Sequence, residues 1–258
     1  MPPQKQQLQL IFCENYGIMN IQVRKSHERG TADHGWLKAN FSFSFANYFN
    51  PTNIQFGMLR VLNDDTIAPG MGFGTHPHDN MEIITIPLAG GLRHRDSMGN
   101  EKVVSYGEVQ VMSAGTGIYH SEMNASTTEI AKTLQIWVFP NQQNVEPRYD
   151  QKAFDLARAR NSWQTLVSPN TNPEPDSIWV YQACYFSMGE FDANQLLQYQ
   201  TKLTGNGLFL FVIEGEVMLH DQLLGKRDAA EITAASSIEL NTTTSATLLL
   251  IGVPMHNN

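Results

Sequence analysis

Two pairs of side chains in this sequence are spaced for shared coordination: His76 and His78 in GFGTHPHDN, and His120 and Glu122 in GIYHSEMN. In an extended chain residues i and i+2 project from the same face, so each pair carries its donors about 6 to 7 Å apart at the backbone. Two such strands lying side by side offer three imidazole nitrogens and one carboxylate to a single ion. That donor set suits one divalent transition metal, Fe2+, Ni2+, Co2+, Mn2+, Cu2+ or Zn2+, and it leaves coordination positions open for catalysis. Pro77, between the first two histidines, has no N–H for a sheet ladder and so predicts an edge or end of a sheet near a barrel opening.

The remaining residues of metal-binding type are less well placed. Cys13 and Cys184 are the only cysteines, so there is no thiolate cage and no disulfide framework, and both read as structurally buried. His94, in LRHRDSMGN beside a turn, reads as an exposed hairpin residue. His34 reads as a packed or capping histidine near Trp36, with a place at the mouth of a pocket as the alternative. His27, His220 and His256 have no partner at ligand spacing, and the second half has no HxH or later His-x-Glu, so a metal site is expected in the first half alone.

The elements that must position these residues are strands. Apolar residues alternate in FSFSF, MEIITIPL, EVQVMSAG, KTLQIWVF, LFLFVIEGEVML and ATLLLIGV, with turn formers such as AGG (89–91), DSMGN (96–100), SYGE (105–108) and IEGE (213–216) between them. This pattern predicts an all-β sandwich or barrel of antiparallel strands. The polar segment PNQQNVEPRYD (140–150) separates two strand-rich halves and is the expected boundary, with a short helical turn in YDQKAFDLARAR just after it. The Gly-Glu-Val of YGEVQVM and IEGEVML hints at an internal duplication. Residues 1–18 fit no clear alternation and read as an extension that contributes nothing to the metal site. The phenylalanines of FSFSF, with Trp137 and Phe139, are expected to face a barrel interior, some of them as a cavity wall.

Composition narrows the function classes. Hydrophobic residues make up 41% and charged residues 16% of 258 residues, a globular balance. A net charge of −8 and a pI near 5.4 disfavour general binding to phosphate backbones, so no direct nucleic-acid role is expected. No run approaches the roughly 20 apolar residues that span a bilayer, and the opening lacks a basic segment followed by a long apolar one. The expected compartment is the cytoplasm.

From Gly70 to Glu82 the sequence resembles the first cupin motif, a glycine, five residues, HxH, three residues and a glutamate, while His120 and Asn124 match the end of the second. Ser113 stands where that motif usually has proline. HGW (34–36), FSFANYFNP (43–51), LRVLNDD (59–65), GFGTHPH (72–78) and MSAGTGIYHSE (112–122) are similar to the pirin family, and especially to its bacterial quercetin 2,3-dioxygenase-like members. The resemblance is strong over residues 19–145 and holds in layout beyond them. It implies a bicupin, two antiparallel β-barrel (double-stranded β-helix, jelly-roll) domains packed face to face: 19–145 with the metal site and 146–258 without one.

The resemblance also bears on the carboxylate ligand. On an unbroken strand Glu82 lies about 13 Å beyond His78, at roughly 3.3 Å per residue, and reaches the ion only if Asp79 and Asn80 turn the chain. Glu122 needs no such bend, and the pirin pattern places its carboxylate two residues after the third histidine. The expected ligands are therefore His76, His78, His120 and Glu122, with Glu122 also the catalytic base. Glu82 is left either to orient an imidazole or to be solvated. The implied activity is a dioxygenase acting with O2 on a small planar aromatic substrate such as the flavonol quercetin, in a monomer. The alternative is a redox-sensing regulatory module that binds a transcription factor or a metabolic enzyme through the same metal site.

Overall fold

A computed structural model describes residues 19–155 and 157–256; the expected extension 1–18, and Cys13 within it, lie outside the described residues. The strands of the first half are β1 (Asn20–Arg24), β2 (Gly30–Asp33), β3 (Leu37–Phe41), β4 (Leu59–Ile67), β5 (Gly72–His78), β6 (Glu82–Ala89), β7 (Gly91–Asp96), β8 (Glu101–Ser105), β9 (Glu108–Ser113), β10 (Ile118–Asn124) and β11 (Ala131–Val138). Those that follow are β12 (Arg148–Ala153), β13 (Gln164–Pro169), β14 (Ile178–Val180), β15 (Tyr185–Phe191), β16 (Leu196–Gln200), β17 (Asn206–Glu214), β18 (Val217–Leu219), β19 (Gln222–Leu224), β20 (Ala229–Thr233), β21 (Ser237–Thr242) and β22 (Ala246–Pro254).

Each half packs a seven-stranded sheet against a four-stranded one. The first pairs β12-β9-β6-β11-β4-β3-β2 with β5-β10-β7-β8, and the second pairs β1-β20-β17-β22-β15-β13-β14 with β16-β21-β18-β19. The outer strands differ, since β2 pairs antiparallel with β3 and β14 parallel with β13. Strands β4 to β11 of the first half and β15 to β22 of the second nonetheless occupy the same places in the two orders, which supports the duplication. The Gly-Glu-Val match is out of phase with it, because residues 107–109 enter β9 of a large sheet whereas 215–217 enter β18 of a small one. Among the predicted turns, DSMGN closes the β7–β8 hairpin, and there the Asp96 carboxylate accepts from the backbone N–H groups of Met98 and Asn100. AGG, SYGE and IEGE instead carry the chain from one sheet to another.

The two large sheets pack face to face. Ile84, Val111, Leu134 and Ile136 from one meet Val167, Phe186, Phe211 and Ile251 from the other in a single apolar cluster. Central strands such as β6 and β17 are therefore buried on both faces, which is why MEIITIPL and LFLFVIEG read as nearly continuous apolar runs. Asp64 lies on the seam and bridges Arg227 at 2.9 Å and Arg29 at 3.5 Å.

The halves also exchange strands. MNIQVRKS does form the first strand described, but β1 pairs with β20 of the second half. The segment expected to begin a helical turn opens instead as β12, whose Arg148–Ala153 ladder runs along β9 of the first half. The 145/146 position lies between β11 and β12, and each half completes its large sheet with a strand from the other side of it.

The interior of the second half is filled. Leu197 and Tyr199 of β16, Val217 and Leu219 of β18, and Ile238 and Leu240 of β21 are buried with Leu208 and Leu210 of β17 in one apolar core. These strands correspond in sheet order to β5, β7 and β10, which in the first half carry histidines instead. His220 lies beyond the end of β18 and is exposed. Among the described residues no helix is long and apolar enough to cross a membrane.

Candidate metal centre

His76 and His78 lie on β5, an edge strand as Pro77 required, and His120 lies directly opposite His76 on β10. Gly72 permits this pairing, because a Cβ there would stand 2.2 Å from the Glu122 carbonyl oxygen. The three imidazole rings form a triangle with centroid separations of 4.8, 4.4 and 5.0 Å. One ring nitrogen from each lies within 4.8 Å of the others, so their lone pairs can converge on one ion. His76 Nδ1 is 2.8 Å from the Gly74 carbonyl oxygen, to which it donates, leaving Nε2 bare. His120 Nε2 is buried with no hydrogen-bond partner among the described residues.

Glu122 meets this triangle at its His120 corner only. The register of β10 against β5 slips between His120 and Glu122, so Glu122 stands opposite Phe73, and its carboxylate groups with His94 and His120 rather than with His76 and His78. Gln135 Nε2 donates to it at 2.6 Å, and Thr85 Oγ1 lies 3.3 Å from its other oxygen and 2.9 Å from Gln135 Oε1. Burial pushes the Glu122 carboxyl up to about 7, against the opposing pull of the Thr85 and Gln135 hydrogen bonds.

His94 corrects the sequence reading. It is fully buried, ring to ring with His120 at 5.3 Å and with Tyr149 at 4.7 Å. The signal was present in LRHRD: Leu92, His94 and Asp96 point inward while Arg93 and Arg95 are exposed. His34 is corrected too, being an exposed residue that lines the cavity beside the histidines.

Glu82 takes neither of its two expected roles. It is 1% exposed, accepts from Ser113 Oγ at 2.7 Å and from the backbone N–H of Tyr181, and so belongs to the seam between the halves. Asn80 does turn the chain, at φ 42°, but the turn leads Glu82 into this seam. Ser113, the departure from the cupin motif, is the residue that serves Glu82. Asn124 ties loops together through the carbonyls of Ile67, Ala68 and Glu129.

Burial raises the Glu82 carboxyl to about 7, so its neutral form is favoured in the fold. A group raised on folding contributes stability that is complete below its unfolded value and is lost as the pH rises through the folded one. We expect metal-free protein to lose stability between pH 5 and pH 8 in part through Glu82. Glu82→Gln should remove that part and stabilise the protein at pH 8 by up to about 3 kcal/mol. Urea unfolding at the two pH values measures it, and an unchanged pH dependence in the variant would contradict it.

A cavity of about 420 Å³ opens on the histidines. Phe41, Phe45, Trp137 and His78 form a chain of ring contacts along its wall at 5.4, 5.4 and 4.8 Å, and Trp36 meets Phe73 edge-on at 5.4 Å. β3 ends at Phe41, so FSFSF does not keep one face: Phe41 and Phe45 line the cavity, whereas Phe43 packs on Phe209 of the second half. Phe139 likewise packs against the core between the halves. Asn63 and Asp65 of β4 reach the same cavity, and Asp65 is raised to about 8 by burial, then by Asp64 and Glu122. Burial, then the neighbouring imidazoles, lowers His120 to about 2; burial and His76 lower His78 to about 4. Both rings are therefore neutral and able to ligate at physiological pH.

Fold and site together define a bicupin with a histidine-rich centre in its first barrel. The chain belongs to the pirin family: the Pirin model matches residues 22–138, and the model for the quercetinase C-terminal cupin domain matches 165–253. It is 38% identical over 234 residues to quercetin 2,3-dioxygenase of Escherichia coli K12, covering 91% of this chain and 99% of that one. It is 36% identical to a pirin-like protein of Caulobacter vibrioides, covering 86% and 94%. The crystal structure of the bacterial pirin YhhW of E. coli in complex with nickel(II) superimposes with a TM-score of 0.85 at 37% identity, covering 91% and 99%.

Proposed function

We propose that this protein is a metal-dependent dioxygenase that opens the heterocycle of a flavonol such as quercetin with O2. In this reading His76, His78, His120 and Glu122 hold the ion, with iron as the leading choice and nickel, bound by the E. coli relative, as the first alternative. The observation that carries it is the convergence of three imidazoles at the rim of a cavity walled by aromatic rings. An aromatic cavity of a few hundred Å³ suits a small planar substrate, which favours catalysis over a purely regulatory role.

When bound, a divalent ion supplies Lewis acidity that favours the deprotonated form of a substrate hydroxyl. The other contributions come from the chain. Trp137, Phe45 and Phe41 stack against the rings of the substrate and exclude water from one side of it. Glu122 is the base, because its carboxylate stands at the His120 corner of the centre, where a substrate hydroxyl at the ion would lie within its reach. Gln135 and Thr85 fix the orientation of that carboxylate.

The test is to mix metal-loaded protein with quercetin without oxygen and then admit O2. Metal-dependent loss of the flavonol absorption with release of carbon monoxide is expected. Flavonol that survives unchanged would sink the assignment.

A further inference from the structure

Resting on the metal site proposed above, we infer that Asp96 and His94 form a relay that fixes the tautomer of His120, making His94 a positioning residue for the metal centre. The Asp96 carboxylate accepts from the N–H of Met98 and of Asn100, both at 3.0 Å, and from Asn100 Nδ2 at 2.8 Å, so it is held as a pure acceptor. Its Oδ2 lies 3.1 Å from His94 Nε2, and neither side chain is exposed. That nitrogen must therefore carry the hydrogen, and a neutral His94 then presents a bare Nδ1.

Opposite this lone pair is His120 Nδ1, 3.5 Å away. The contact is a weak hydrogen bond only if His120 donates, which places its proton on Nδ1 and leaves Nε2 with a free lone pair. Nε2 is the buried atom with no hydrogen-bond partner among the described residues, and His120 is the residue that completes the cluster with His76 and His78. His76 reaches the same state by a different route, since its Nδ1 is held by the Gly74 carbonyl oxygen. Reversing the relay would put the proton of His120 on Nε2, the nitrogen otherwise left without a partner among the described residues, and block coordination through it. Partners that orient a ligating imidazole in this way commonly change metal affinity by about 10- to 100-fold.

His94 and His120 also group with Glu122 closely enough to hold an ion of their own, so the test must separate a relay from a second site. Two variants do so. His94→Phe removes the acceptor while preserving a ring against Tyr149. Asp96→Asn keeps every ring, and the replacement can still accept from Met98 and Asn100, but it offers an amide N–H to His94 Nε2 and so reverses both tautomers. Zinc titration should give one ion per chain in the wild type and in both variants, with affinity about 10- to 100-fold weaker in the variants. Nitrogen-15 NMR of metal-free wild type should show His120 protonated on Nδ1, and in Asp96→Asn protonated on Nε2. A role in packing alone would not move that signature. Undiminished affinity in Asp96→Asn, a second zinc equivalent lost in His94→Phe, or His120 protonated on Nε2 in the wild type would each overturn the relay. A wild-type chain that binds no zinc would overturn the proposed metal site instead, and the NMR assignment would still decide the tautomer.

Discussion

His120→Ala should abolish the response of this protein to divalent metal while leaving it folded. His120 is the one residue common to both groups of donors, and its Nε2 is buried with no hydrogen-bond partner among the described residues. A ligand that binds only the folded state stabilises it by RT ln(1 + [L]/Kd), roughly 4 kcal/mol at a thousandfold excess over Kd. Wild-type protein titrated with Ni2+ should therefore gain several degrees in unfolding midpoint. The metal-free variant loses a buried ring and leaves His94 Nδ1 unpaired, a change of about 1 to 3 kcal/mol that a folded domain tolerates. Adding Ni2+ to it should then produce no shift. Scanning calorimetry with and without metal distinguishes the two costs, and an equal metal shift in the variant would place the ion elsewhere.

How much of this was readable beforehand depends on whether a residue acts within its own strand or across to another. His76 with His78, and His120 with Glu122, announce themselves because the two-residue repeat of a strand puts both members of each pair on one face. Pro77 marks its strand as an edge for an equally local reason. His94 was missed although its hydrogen-bond partner Asp96 lies two residues along the same strand, because its ring neighbours, His120 and Tyr149, lie on other strands and proximity to the DSMGN turn outweighed the inward alternation of Leu92, His94 and Asp96. Glu82 was misjudged for a related reason. Its fate depends on packing between the two large sheets, and no period in the sequence reports that face. The reciprocal loan of β1 and β12 is hidden in the same way, since alternation identifies a strand without naming its neighbour.

Glu122 separates the chemistry from the fold most cleanly, and Glu122→Gln is the variant that exploits this. In the metal-free pocket a neutral Glu122 can donate to Thr85 Oγ1, Thr85 can donate to Gln135 Oε1, and Gln135 Nε2 donates back to the other oxygen of Glu122. A glutamine side chain reproduces each bond of that ring, its amide N–H replacing the carboxyl O–H, so stability should hold or rise slightly as an ionisable group leaves a fully buried position. What the variant lacks is negative charge and a proton acceptor. Removing a general base typically costs about 10²- to 10⁴-fold in rate, and metal affinity should fall with the loss of an anionic ligand. We therefore expect weaker Ni2+ binding and flavonol turnover reduced at least about a hundredfold, in a protein that unfolds at or above the wild-type midpoint. The Glu82→Gln protein is the matching control, for it removes a carboxylate of equal burial from the seam and should bind metal as the wild type does. Metal binding at wild-type strength in Glu122→Gln would remove Glu122 from the ligand set. Undiminished turnover at saturating metal would remove it as the base, and under that condition the binding result reports the ion and the turnover the proton.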